Sequence, residues 1–281
     1  MRMQSPRWQE GRPMTSLTCL VATTQRQLDD ALRVRWSVFG QELSLLGGPV
    51  PGAPREVDSF DTLETTSHLV VYAGAQPVAT SRLLLPNPEV AHTAGGVLGI
   101  ALEQKLDLSS VRAPGIVFAE STRFCILKQW RHSEVLLRLQ AGLYQLSRGL
   151  GVTHWIASAN TETDSTEDAR LVFQVASRQG LVSARWHVQA RAASTPPATA
   201  SAPLYTPAER ARARGGQLDG LRMPRTLSLF AHKMGARFIG EPHYDAHFRR
   251  FSMPLVAALD ELPASTLTLL NAPGSDERQA A

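Results

Sequence analysis

Residues 116–126, IVFAESTRFCI, most narrow what this chain can become. The apolar and β-branched residues at both ends of the run predict a central strand. Glu120, Ser121, Thr122 and Arg123 interrupt it. A charge inside a buried strand is costly unless it is paired or hydrogen-bonded, so the fold must bring it partners. The candidates are polar residues in other apolar contexts. Arg35 lies in VRWSVF on a predicted helix, Asp58 and Asp61 stand one turn apart in REVDSFD, and Arg82 sits inside a predicted hairpin strand. Three arginines and three carboxylates make one candidate network. Two readings stand side by side: an internal salt-bridge lattice beside the core, or a functional site.

The rest of the chain alternates helix and strand. Leu28, Leu32, Arg35, Trp36, Phe39 and Leu43 recur at helical spacing over residues 25–46, and Gly47-Gly48-Pro49 stops them. Residues 68–72 and 78–85 read as a hairpin around Gly74. Residues 98–106 look helical. Ser133 is a plausible N-cap for a long helix whose stripe is Val135, Leu136, Leu139, Leu143, Tyr144 and Leu146. A strand over 152–159 and a helix over 166–180 follow. Residues 192–207, rich in Ala, Ser, Thr and Pro, predict a mobile loop. Beyond it come a helix over 224–234 with Pro224 at N1, and strands over 236–240 and 251–257. The fold class is α/β (α+β), a central mixed sheet flanked by helices.

The chain has 281 residues, of which 43% are hydrophobic, and a net charge of +4. That is one large domain or two small ones at about 150 residues each, and too apolar for disorder throughout. Cys19 and Cys125 form neither a disulfide framework nor a zinc knuckle and fit a reducing cytosol. No stretch approaches the ~20 apolar residues of a membrane span. Residues 1–14 read as a polar, disordered lead-in rather than a signal peptide. Residues 263–281 read as a flexible tail.

The ordered residues carry a resemblance. Arg35, Val38 and Phe39, then Asp58 and Asp61, then Arg82, then Glu120, Arg123 and Phe124 follow the order seen in acyl-homoserine-lactone autoinducer synthases. Those are GNAT-like acyltransferases. The skeleton also resembles the N-acyl amino acid synthases and the hemolysin-like N-acyltransferases that make lyso-ornithine lipid. Residues 223–248, MPRTLSLFAHKMGARFIGEPHYDAHF, resemble the last group, and autoinducer synthases are typically shorter. The resemblance implies a single GNAT-like domain over 15–262, with an excursion at about 190–222. It departs from the lyso-ornithine-lipid pattern at Ser121–Ile126, where that group has a Gly-Arg-Ser-Cys-Val style segment.

It further implies an N-acyltransferase moving a fatty acyl group to the α-amine of an amino acid, such as ornithine or a neutral one. The donor is the 4'-phosphopantetheine thioester of acyl carrier protein, or acyl-CoA, and no permanently bound cofactor is expected. The turn at 128–133, KQWRHS, has no glycine with which to cradle a pyrophosphate, which favours carrier protein. Glu120 is the expected general base. Backbone N–H groups of Phe124 and Cys125 are the expected oxyanion donors. Arg82 and Arg123 would hold the acceptor carboxylate or orient Glu120, Asp58 and Asp61 its ammonium group, and Arg35 would clamp one of those aspartates. Cys125 itself reads as a buried apolar residue.

No metal is expected; His243 and His247 stand four apart, but Pro242 argues for a loop there. Residues 185–250 hold 11 Lys+Arg against 4 Asp+Glu, a local +7. Such a face suits an acidic carrier protein or a peripheral contact with the inner membrane of a cytoplasmic enzyme, or is simply solvated. Nucleic acid is not expected. The alternatives are an autoinducer synthase using S-adenosylmethionine, and a non-catalytic module that binds acyl chains or carrier protein.

Overall fold

Thr24 opens the first helix by a reciprocal cap. Its hydroxyl accepts the N–H of Gln27 at 3.3 Å, and the Gln27 side chain accepts the N–H of Thr24 at 3.1 Å. The computed structural model describes residues 16–46, 54–191 and 194–272. The Gly47-Gly48-Pro49 stop, the lead-in at 1–14 and the tail from 273 lie outside the described residues. In order come β1 (Leu17–Val21), α1 (Gln25–Arg35), β2 (Thr66–Ala73), β3 (Gln76–Leu84), α2 (Pro88–Ala94), β4 (Leu106–Asp107), β5 (Phe118–Ile126) and α3 (Val135–Gly149). Then follow β6 (His154–Asn160), α4 (Thr166–Arg178), β7 (Gln189–Ala190), α5 (Pro207–Arg214), α6 (Arg225–Lys233), β8 (Arg237–Phe238), β9 (His243–Asp245), β10 (Arg250–Ala258) and α7 (Ala264–Leu270).

An eight-stranded sheet runs β1-β2-β3-β5-β6-β10-β8, with β9 on β10. Its pairs are antiparallel except β5 with β6. That parallel pair is short: Phe118, Ala119 and Glu120 lie opposite His154, Trp155 and Ile156, after which the two strands continue without pairing. The sheet therefore splays beyond Glu120. On one face, α3 packs Val135, Leu139 and Leu143 against Leu69, Val71 and Ala119. On the same face α4 and α6 pack Leu171, Val172, Val175 and Leu227 against Ala157, Met253 and Leu255. The opposite face carries a third cluster, with Leu84, Phe118, Ile156 and Val256 under Ile100 and Leu108. Near the splay, Val34 and Val38 pack on Cys125 on this second face.

The mixed, mostly antiparallel sheet between helices is the expected class. Several local expectations change. The helix over 25–46 is α-helical only to Arg35 and π-helical from Trp36–Glu42. Asn87 and Pro88 start α2 rather than merely closing the hairpin, with the Asn87 side chain accepting from Glu89 and Val90 at 3.1 Å. Residues 98–106 hold a 3₁₀ turn, Ala101–Gln104, and the first residue of β4 in place of a helix. Ser133 stands one residue before the true N-cap of α3, Glu134, and Pro224 is the N-cap rather than N1 of α6.

Two segments expected to be loose are held. Asp164 accepts from Ser201 and Ala202 at 2.9 Å, and Asp168 accepts from Leu204 at 2.7 Å. Arg210 on α5 closes a two-pronged pair on Asp168 at 2.6 and 2.7 Å. The described part of 192–207 is thus pinned to α4, because buried carboxylates recruit its backbone donors. The stretch from 263 begins with α7, whose Leu267 and Leu270 pack into the α3 cluster.

Candidate active site

β5 and β3 fall out of register between Thr80 and Arg82. Thr80 is opposite Cys125 and Arg82 opposite Thr122, so Arg123 and Phe124 together face only Ser81. This β-bulge puts Arg123 at φ 55°, a left-handed conformation that non-glycine residues rarely adopt. The extra residue shifts the alternation, so Glu120, Thr122 and Cys125 all point to the second face. Residues Ser121 to Phe124, and Ser158 and Asn160 across the splay, are half-buried in the middle of the sheet. The two strands part there.

Around it stands the lattice. Arg35, the last residue of α1, grips Asp61 with Nη1–Oδ1 at 2.6 Å and Nη2–Oδ2 at 3.1 Å, and also pairs with Glu56. Arg82 Nη1 donates at 2.6 Å to both Asp58 and Asp61. Arg123 Nη2 donates to Asp58 at 2.8 Å, and its Nε to Glu56 at 3.1 Å. His68 Nε2 lies 2.9 Å from the Asp61 carbonyl, and His247 Nε2 3.4 Å from Glu56. Phe248 lies over the Arg123 guanidinium, 5.2 Å from ring centroid to carbon, and 4.9 Å from the Phe39 ring.

Three arginines and three carboxylates balance, but one member differs from the expected set. Glu56 takes the place given to Glu120. It is the first carboxylate of the REVDSFD motif, 3% exposed, and its position two before Asp58 was the available signal. Burial would raise Glu56, but His247, Arg123 and Arg35 hold its carboxyl well below the ordinary range. For Asp58, burial is likewise outweighed by Arg82 and Arg123, and its pKa is lowered. Asp58 and Asp61 do not stand ready for an ammonium group. Their oxygens are taken by arginines and by the N–H groups of Phe60 and Asp58. Arg35 clamps Asp61. Arg123 is likewise engaged, whereas Arg82 Nε and Nη2 have no partner among the described residues.

Glu120 stands apart from these ion pairs. It is 4% exposed, and its Oε2 accepts the N–H of Leu102 at 2.8 Å. With the lattice already neutral, it is the surplus carboxylate. Burial pushes its pKa up, and Arg82, the Leu102 N–H, Arg123 and Lys105 offset this only in part. Such a carboxylate, at the last paired residue before the splay, takes a proton more readily than an ordinary glutamate. Cys125 is driven the other way from reactivity: burial raises its thiol far above the usual range.

Residues 34–141 match the family model described as the acetyltransferase (GNAT) domain. This stretch is similar to a GNAT acetyltransferase domain. It spans every member of the lattice and Glu120, and the acyltransferase class expected from the sequence holds. Among solved structures, the N-acyl amino acid synthase FeeM from uncultured soil microbes is 9% identical, with a TM-score of 0.49 over 92% of this chain and 98% of that one. The CoA-dependent acyl-homoserine lactone synthase BjaI is 16% identical, TM-score 0.45, over 88% and 81%. The acyl-homoserine lactone synthase LasI is 12% identical, TM-score 0.46, over 92% and 95%. No curated protein sequence matches the chain.

His243 and His247 are not on a helix: His243 belongs to β9 and His247 to the turn after it. Among the described residues, no group of three His, Cys, Asp or Glu is placed to hold a metal ion. No helix of the described residues is long and apolar enough to cross a membrane.

Proposed function

We propose that the protein transfers a fatty acyl group from the phosphopantetheine thioester of an acyl carrier protein to the α-amine of an amino acid. Glu120 carries this reading: a buried carboxylate with a raised pKa, outside the neutral lattice, where the central strands part. It takes the proton of the attacking amine, directly or through one water, as the amine nitrogen bonds to the thioester carbon. Backbone N–H groups of Phe124 or Cys125, on the arm of β5 that has left β6, stabilise the oxyanion. Collapse breaks the carbon–sulfur bond, and the departing sulfur takes the proton from Glu120 and leaves as the thiol. Arg82 holds two adjacent donors, Nε and Nη2, in the fork that suits a carboxylate, and either the acceptor's or that of Glu120 would satisfy it.

The turn before α3 supports carrier protein over free CoA. Its Lys128 N–H donates to Glu42 at 3.0 Å, the Trp130 N–H to Leu127 at 2.8 Å, and the Val135 N–H to Ser133 at 3.3 Å. Arg131 also pairs with Glu42. Several donors of this turn are thus spent, and a carboxylate stands among them, which disfavours a pyrophosphate there. A carrier protein brings a single phosphate and an acidic surface, which suits the basic residues of 185–250 in a cytoplasmic enzyme, with or without contact at a membrane surface.

Mass spectrometry of lipid extracts from an expressing host tests the reading, since it reports acyl length and amine together. N-acyl amino acids are expected. A cyclised lactone with methylthioadenosine would instead assign an autoinducer synthase, and no new acylated amine, with carrier protein bound, a non-catalytic module.

A further inference from the structure

Among the described residues, four buried side-chain nitrogens lack a hydrogen-bond partner: His68 Nδ1, Arg82 Nε and Nη2, and His243 Nδ1. Unmade bonds at buried polar atoms are costly, and each asks for a reason. All four lie on one face of the sheet. His68 is opposite Arg82, Arg82 opposite Thr122, and Glu120, two before Thr122, is opposite Ile156. Ile156 is opposite Val256 on β10, and Ser252, four before it, is opposite His243. Paired residues share a face and so do residues two apart. Glu120 and His243 therefore look out on the same side, and the amine that Glu120 serves lies there too.

His243 is 7% exposed, and its Nε2 lies 3.5 Å from Ser158 Oγ. Ser158 is half-buried, on the arm of β6 that has parted from β5, two residues beyond the partner of Glu120. It brings the His243 pair beside the point where the two strands part. Building on the acyl-transfer reading, we propose that Ser158 and His243 bind an uncharged polar group of the acceptor, a hydroxyl or carboxamide on the amino-acid side chain. Burial holds the His243 imidazole down at about 4, against the pull of Asp245 and with the push of Lys105. The ring is then neutral and offers one N–H and one lone pair. Lys105 Nζ pairs with Asp245 at 2.5 Å, so neither of these two charges beside His243 stands free for an ionic side chain.

The test is N-acylation of L-serine, L-threonine, L-glutamine, L-leucine and L-ornithine from one acyl-carrier-protein thioester, by wild type, His243→Phe, His243→Gln and Ser158→Ala. Wild type is expected to prefer a hydroxyl- or amide-bearing acceptor. His243→Phe and Ser158→Ala should each raise KM for it about tenfold, with kcat and the leucine reaction little changed. His243→Gln, which keeps a donor and an acceptor, should restore most of the preference. A wild type that prefers leucine or ornithine would overturn the assignment, as would an unchanged KM in Ser158→Ala, whose half-exposed position tolerates truncation if His243→Phe fails to fold. Acylation of none of the five would overturn the acyl-transfer reading itself, and this subsite with it.

Discussion

Arg35 and Asp61 face each other in a two-pronged ion pair, 2.6 and 3.1 Å, with both side chains out of solvent. The pair ties the end of α1 to the segment before β2, and Arg82 and Arg123 extend the tie to β3 and β5. The lattice sets the frame within which Glu120 stays unpaired.

Removing one partner of such a pair leaves a buried charge without compensation. Arg35→Met is expected to cost about 3–5 kcal/mol, read from urea unfolding of wild type and variant. A cost near that of a surface substitution would mean that the lattice carries no stability.

Stability should depend on pH with two opposed signs. Burial depresses His243, while His247 and neighbouring arginines outweigh burial to depress Glu56, and arginines do so for Asp58. For these groups the unfolded chain binds more protons, so stability is complete above their ordinary values of 6.5, 4.5 and 3.8 and is lost as pH falls through the folded ones. Glu120 is raised, so its contribution is complete below 4.5 and is lost as pH rises through its folded value. Melting temperatures of wild type and Glu120→Gln should therefore diverge in favour of the variant as pH rises. Parallel curves would show that Glu120 carries no burial penalty.

The proposed donor rests on the turn before α3. Acyl carrier protein should give kcat/KM at least about tenfold above that of the matching acyl-CoA, and the advantage should shrink with salt. Equal use of both, insensitive to salt, would reject the carrier protein as the preferred donor.

Arg210→Ala should release residues 201–206 from α4, because Asp168 loses both prongs of its pair. A cost of about 1–3 kcal/mol and faster proteolytic cleavage there are expected. Unchanged cleavage would show the segment to be held by its other contacts.

The fold was legible where periodicity is strong: the hairpin of β2 and β3, the stripe of α3, and the strands β6 and β10. The lattice was legible because arginines and carboxylates stood in apolar contexts. Glu56 was missed because its neighbours Arg55 and Asp58 give it the look of a solvated loop, and only the approach of Arg35 and Arg123 buries it. The bulge at Arg123 is invisible to alternation, since it arises from how β5 pairs with β3 rather than from β5 itself. The 201–207 segment misled because small residues signal looseness, while the carboxylates that pin it come from Asp164 and Asp168, more than 30 positions earlier.

Glu120 is tested most directly by single-turnover transfer from acyl carrier protein to an amino acid, followed by mass spectrometry across pH in wild type and Glu120→Gln. Wild type should form the N-acyl product with an acid limb above the ordinary glutamate value of 4.5. Glu120→Gln should be slower by about 10²–10⁴-fold, lack that limb and melt no lower. Equal rates with the same pH profile would contradict its role as the base.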